Sequence, residues 1–329
     1  MKLASFHSGG RDRIGFEIEP GALIDANDAL AALPGADKVP AVADMIALIQ
    51  GGEPLLGKLR SAWALARDNQ HQLTRHNAAE VTWHPPVRTP SKIVCIALNN
   101  RALDAIKIRA PTDHPAFFLK PSTALTGHRH PIELRPAFGL THPEPELGVV
   151  IGRRLKNASP EVAMAAVYGY TIVNDVTSVG MREEDSFTVR IFKPAADGTV
   201  SVAEAHTSYP GRYKASDTFA PMGPWLVSRD EIPDPAALQI TCVMGGRLVA
   251  SDHTKNYVWS VPMALSHVSR TMTLLPGDIV SMGTAVGGEI DPEAPQVPGV
   301  TRANLVGLQG NVAVTITGLG TLENSVTTS

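Results

Sequence analysis

Cysteine is scarce in this chain, basic runs are missing, and no apolar stretch is long. Only two cysteines occur in 329 residues, Cys95 and Cys242, each inside an apolar run. That excludes a disulfide scaffold and leaves the expectation of two reduced thiols in the core. The formal charge is −3, from 29 Lys and Arg against 32 Asp and Glu. Phosphate binding needs clustered Lys and Arg, so nucleic acid is not the expected partner. No apolar run approaches the roughly 20 residues of a membrane-spanning helix, so a membrane is not expected either. Residues 1–10 lack the apolar core of a signal peptide, which makes the cytoplasm the expected compartment.

What is present is an ordinary globular composition, 43% hydrophobic and 19% charged. A chain of this length buries roughly three quarters of its unfolded surface and needs no staple to fold. Residues 1–88 read as a small N-terminal α+β domain. Two apolar runs flank Ser8-Gly9-Gly10 as in a hairpin, and residues 42–49 and 55–67 carry apolar side chains at helical spacing. The segment His84-Pro85-Pro86-Val87-Arg88-Thr89-Pro90 neither continues a helix nor pairs in a central strand, so it reads as a linker. Residues 89–329 then alternate short apolar runs with Gly and Pro, with strands expected at 93–98, 117–119, 147–151, 167–173, 238–243, 278–282 and 312–316. Helices are expected at 160–167, capped by Ser159, and at 262–272. The fold class is α+β and β-rich.

The segment His142-Pro143-Glu144-Pro145-Glu146-Leu147 carries the most chemistry. Alternate residues of a strand share a face, so Glu144 and Glu146 point the same way. They repel each other unless something positive lies between them. Asp175 ends a second apolar run. Three carboxylates suit a hard cation, Mg²⁺ or Mn²⁺, and no zinc-like His or Cys spacing is present. The same spacing also fits an exposed strand face with a turn-capping aspartate, and spacing alone does not choose.

Glu144-x-Glu146-Leu147-x-Val149-Val150-Ile151-Gly152 followed by Tyr168-Gly169-Tyr170-Thr171-x-x-Asn174-Asp175-Val176-Thr177 resembles the paired signature of the fumarylacetoacetate hydrolase family. Phe118-Leu119-Lys120-Pro121, the run from Lys214 to Trp225, and Pro276-Gly277-Asp278 with Gly283-Thr284 resemble three further family segments in the same order. The resemblance covers about residues 92–320. It implies a mixed β-sandwich roll as the catalytic domain, and Glu144, Glu146 and Asp175 as ligands of Mg²⁺ or Mn²⁺. It further implies a 2-oxo or 2,4-dioxo acid substrate and a homodimer. Lys214 would stabilise a developing oxyanion or enolate, Gly283 and Thr284 would hold a substrate carboxylate, Arg182 would contact substrate, and Lys120 would orient the site.

The chain departs from that family at its lid. Leu103 stands where a histidine is expected and Ile106 where a glutamate is expected, and neither moves a proton. Asp104, His142, His128, His130 and the pair Asp113-His114 are the nearby substitutes, with His142 and Asp104 taken as the catalytic candidates. A longer connection between Asp175 and Lys214 is expected to hold an added β-hairpin over residues 189–202. The function expected is metal-dependent hydrolysis of a C–C bond in a 2,4-dioxo acid. The alternatives are decarboxylation, isomerisation or hydration of a 2-oxo acid, or a catalytically silent acid-binding homologue.

Overall fold

The structure is a computed structural model that describes residues 1–35, 39–68, 73–107, 110–287 and 303–329. Two sheets dominate it. The larger has eleven strands. Its order is Arg75–Asn77, Ala22–Asp25, Arg11–Glu19, Lys2–Ser8, Leu226–Ser228, Val167–Asn174, Pro145–Ile151, Ile279–Thr284, Ile93–Ile96 and Phe117–Lys120, with Thr82–Trp83 joined to Lys2–Ser8 off this path. The smaller has five strands, Arg247–His253, Gln239–Met244, Asn311–Ile316, Gly320–Thr328 and Ile132–Leu134. The architecture is α+β and sheet-rich.

The strand Pro145–Ile151 is buried along its whole length, as a continuous apolar run requires when both faces are covered. Its alternation sorts the two cores. Leu147, Val149 and Ile151 join a core shared with Ile240, Cys242, Val314 and Leu322 of the smaller sheet. Val150 faces the other way, with Ile279, Leu3, Phe16 and the helices Met45–Gln50 and Gly52–Asp68. Glu146 shares the face of Val150, since they are four residues apart in a strand. Cys95 and Cys242 are both buried and free.

The N-terminal hairpin forms as its sequence requires, with Leu3 opposite Phe16 and Ser8 opposite Arg11. It does not stand apart from the rest. Leu3 pairs with Leu226 and Lys2 with Val227, so residues on both sides of the proline-rich segment share one sheet. A second tie lies at Asp278, whose fully buried carboxylate accepts hydrogen bonds from Ser91 Oγ (2.6 Å), Leu275 N (2.7 Å) and Lys92 Nζ (2.5 Å). The helix Pro160–Ala165 is capped by Ser159, which accepts from Val162 N, and packs on Val261–Thr271. It ends two residues earlier than expected because Val167 already belongs to the next strand. No described helix is long and apolar enough to cross a membrane.

His128 is buried where the two sheets meet. Its Nδ1 accepts from Glu323 N (3.0 Å), and its ring stands edge-on to Trp83 at 5.4 Å. Burial, helped by the Arg129 charge, pushes this imidazole down from 6.5 to about 4. The unfolded chain therefore takes up the proton first as pH falls. Stability present above pH 6.5 is lost as pH falls towards 4. Urea unfolding at pH 7 and pH 4.5 is expected to show His128→Asn losing about 2 kcal/mol less than wild type over that interval, after allowance for residual solvent at the ring.

Candidate active site

Three neighbouring strands of the large sheet, Val167–Asn174, Pro145–Ile151 and Ile279–Thr284, end side by side. Their ends bring Glu144, Glu146 and Asp175 together, with one carboxylate oxygen of each within 4.8 Å of the others. Asp175 N donates to Glu144 O (2.8 Å), and Glu144 N donates to Asn174 Oδ1 (3.0 Å), which locks the two strand ends.

Each carboxylate has its own supports. Glu146 Oε2 accepts from Ser281 Oγ (2.6 Å) and from Gly283 N (2.9 Å). Glu144 Oε1 accepts from Thr177 Oγ1 (2.8 Å) and lies 3.0 Å from His142 Nε2. Lys214 Nζ donates to both Glu144 Oε2 (2.9 Å) and Asp175 Oδ2 (2.8 Å). On the far side of Asp175, Lys120 Nζ lies 2.5 Å from Oδ1, while its N–H bonds aim at Phe219 O (2.6 Å) and Val176 O (3.2 Å). That contact is Coulombic, and Asp175 Oδ1 is a buried oxygen that accepts no hydrogen bond.

Three carboxylates face two ammonium groups, so one negative charge lacks a cationic partner among them. The excess is visible at Glu146, where burial first, and then the charges of Asp175 and Glu144, push the carboxyl up to about 8. Burial opposes ionisation of Glu144 as well, but Lys214 and His142 outweigh it and hold this carboxyl below its ordinary range. Lys214 is buried too, yet Asp175 and Glu144 outweigh that penalty and raise it above an ordinary lysine. An all-oxygen donor set and an excess of negative charge fit a hard divalent cation. A second group of ligand-type side chains, His7, Asp12 and His84, sits on the N-terminal hairpin and linker. There Asp12 is already paired with Arg88 (2.5 Å), and the cluster is half exposed.

The other expected site residues divide. Gly283 and Thr284 lie beside Glu146, with Thr284 directly opposite it across the strands. Thr284 Oγ1 donates to Ala285 O (2.9 Å). Lys120, expected to orient the site, is fully buried behind Asp175, pairs with it and points into the protein. Asp104 is exposed and paired with Lys107 (2.8 Å), and it forms no hydrogen bond or ion pair with the three carboxylates. Arg182 is exposed on the helix Val179–Glu184 and likewise bonds to none of them. Of the other histidines, His114 pairs with Asp113 and stacks on His267. The sequence reading missed Thr177, Ser281 and Asn174. Ser281 lies two residues before Gly283 in the strand Ile279–Thr284, so strand alternation was the available signal there.

A model of the fumarylacetoacetate hydrolase C-terminal domain matches residues 92–327. The chain belongs to the fumarylacetoacetate hydrolase family. An oxaloacetate tautomerase of Bacillus subtilis is 28% identical over 99% of this chain and 100% of its own length. A mitochondrial oxaloacetate tautomerase of Xenopus laevis is 31% identical over 87% of this chain and 80% of its own. Among solved structures, the maleylpyruvate hydrolase of Sphingobium sp. SYK-6 in complex with manganese(II) and pyruvate is 27% identical, with a TM-score of 0.68 and 100% of both chains covered. The fumarylacetoacetate hydrolase of Exiguobacterium antarcticum is 26% identical, with a TM-score of 0.71 and the same coverage. These relatives in the family are enzymes, and they include both hydrolases and tautomerases. In this family member the segment Arg101–Ile106, expected to be a lid, is a 3₁₀ helix whose Leu103 is buried and whose Ile106 is exposed.

Gly283 has φ +101°, and a Cβ there would meet Asn99 Cβ at 2.7 Å and Ile96 O at 3.3 Å. Gly283→Ala is expected to destabilise the fold by about 2–4 kcal/mol in urea unfolding, through strain at a left-handed backbone and overpacking against Asn99.

Proposed function

We propose that this protein catalyses metal-dependent proton transfer at the carbon next to the carbonyl of a 2-oxo acid, a keto–enol tautomerisation or isomerisation of an oxaloacetate-like dicarboxylate. Glu144, Glu146 and Asp175 are the residues that would hold Mg²⁺ or Mn²⁺. A cation bound there supplies Lewis acidity that favours enolisation of a 2-oxo acid. The observation that carries the proposal is Lys214, a buried ammonium fixed between two carboxylates and kept protonated by them. It presents a preorganised positive charge to an enolate oxygen without reorganising during reaction. Thr284 and the strand end around Gly283 offer polar groups for the substrate carboxylate. His142, 3.0 Å from Glu144 and partly exposed, is the histidine in contact with the cluster and is assigned the proton.

The lid favours tautomerisation over hydrolysis. Leu103 and Ile106 give an attacking water neither a base nor an orienting carboxylate. Tautomerisation moves a proton and needs no such water. Hydrolysis of a 2,4-dioxo acid is the second reading, supported by the full-length likeness to the maleylpyruvate and fumarylacetoacetate hydrolases.

Decay of the enol absorbance of oxaloacetate separates the two. With Mg²⁺ or Mn²⁺, wild type is expected to speed the decay with the carbon skeleton intact by NMR, and excess EDTA is expected to remove the acceleration. Release of two carbonyl fragments from an acylpyruvate, with no effect on oxaloacetate, would overturn tautomerisation in favour of hydrolysis. Lys214→Met is expected to lower kcat by about 10²–10³. Divalent metal is expected to raise the melting temperature of EDTA-treated wild type, but not of Glu146→Gln, in differential scanning fluorimetry.

A further inference from the structure

Three strands in the N-terminal part of the large sheet, Arg11–Glu19, Lys2–Ser8 and Thr82–Trp83, lie side by side. His7 stands opposite Asp12 on one side and opposite Thr82 on the other. His84 N donates to Ser5 O (3.0 Å), which carries the second ladder past Trp83. Residues directly opposite in an antiparallel pair share a face, as do Ser5 and His7 two residues apart, so Asp12, His7 and His84 stand on the same side. Phe6, between Ser5 and His7, is fully buried on the other side. The three polar side chains meet at the Asp12 carboxylate. Its Oδ1 lies 2.8 Å from His7 Nδ1 and 3.0 Å from His84 Nε2. One donor atom from each residue lies within 4.8 Å of the others. Arg88 Nη1 takes the far oxygen, Oδ2 (2.5 Å), so Oδ1 stays aimed between the two imidazoles.

We propose that His7, Asp12 and His84 form a metal site for a zinc-type divalent cation, separate from the carboxylate cluster. Two imidazole nitrogens and one carboxylate oxygen suit Zn²⁺, whereas Mg²⁺ keeps to oxygen ligands. At neutral pH an imidazole is mostly uncharged and offers a lone pair. A four-coordinate ion with bonds of about 2.0–2.1 Å holds its ligand atoms about 3.4 Å apart. The two His–Asp separations therefore need to open by about half an ångström, which side-chain rotation at the surface supplies. His7 and Asp12 are 43% and 48% exposed, so water can complete the coordination. A cleft of about 140 Å³ opens beside Asp12, lined also by Ser5, Asp44, Arg88 and Thr89. The Arg88 charge opposes a cation, but solvent screens it at this exposure. Its bond to Oδ2 is the kind of outer contact that orients a ligating carboxylate.

The site joins parts of the chain that are distant in sequence. His7 and Asp12 belong to the N-terminal hairpin, and His84 opens the proline-rich segment that leads to the strand Ile93–Ile96. An ion held by all three fastens that segment to the hairpin, next to the bond from Ser5 Oγ to Pro86 O (2.7 Å). Sequence spacing does not announce the set, because 72 residues separate Asp12 from His84 and sheet register alone brings them together. None of the three forms a hydrogen bond or ion pair with Glu144, Glu146 or Asp175. The site therefore stands on residues that the proposed reaction does not use.

Zn²⁺ titration against a chromophoric chelator tests this independently of the reaction. Full-length Glu146→Gln in excess Mg²⁺ is used, so that the carboxylate cluster competes little for Zn²⁺. This protein is expected to bind one Zn²⁺. Adding His7→Ala or His84→Ala is expected to weaken that binding about tenfold or more, since a direct ligand matters at least as much as its outer partners. Adding His206→Ala, at an exposed histidine of the hairpin formed by Ser186–Pro194 and Val200–Ser208, leaves it unchanged. Unchanged circular dichroism will show that the variants fold. As a second readout, Co²⁺ is expected to give wild type a visible d–d band that His84→Ala lacks. Absence of bound Zn²⁺ overturns the proposal. So does Zn²⁺ binding that is equally tight with and without His7 and His84, which would leave Asp12 as an ion-pair partner of the two histidines and Arg88.

Discussion

Three carboxylates buried within reach of one another repel strongly in a low-dielectric interior, and the local structure is organised to answer that repulsion. Lys214 bridges Glu144 and Asp175, Lys120 backs Asp175 from inside, and Ser281, Gly283 N–H and Thr177 supply neutral donors. These groups come from widely separated parts of the chain. They meet because three adjacent strands end at the same level, so the register of the sheet is also the geometry of the site. A one-residue slip of Pro145–Ile151 would turn Glu146 into the opposite core.

That link between register and chemistry explains what was legible in the sequence. Glu144 and Glu146 could be placed on one face because strand alternation is local, and the long apolar run beside them fixed which strand was central. The strands at 147–151, 167–173 and 312–316 were legible for the same reason. Lys214 was legible through the family segment around it rather than through any property of a lysine. The outward turn of Asp104 was not legible. It lies where side-chain direction is set by tertiary neighbours, and the same residue type serves either purpose. Thr177 and Ser281 are common strand residues until the carboxylates they support are in place.

The boundary at residue 88 was drawn from proline density, which reports backbone freedom and not strand partnership. Nothing in residues 2–8 announces a partner at residues 226–228. The pairing of Leu3 with Leu226 nevertheless places the N-terminal strand between the rest of its own hairpin and the strands that lead to the site. The metal-type cluster and the N-terminal helices therefore share one continuous sheet, with Val150 and Ile279 packed in the same core as Leu3 and Phe16.

The same pairing bears on how the chain folds as it leaves the ribosome. The strand Lys2–Ser8 is made more than two hundred residues before Leu226–Ser228, the partner of its Lys2–Leu3 end. Until then the Lys2–Leu3 end of its hairpin, beyond the pairing with Thr82–Trp83, shows a bare edge of the kind that recruits foreign strands. Closing a loop of that span early is entropically costly, so the large sheet must be completed late and slowly. The N-terminal helices and hairpin are thus an early, partly formed platform that waits on the strands bearing the carboxylates, and the site is among the last features to take shape.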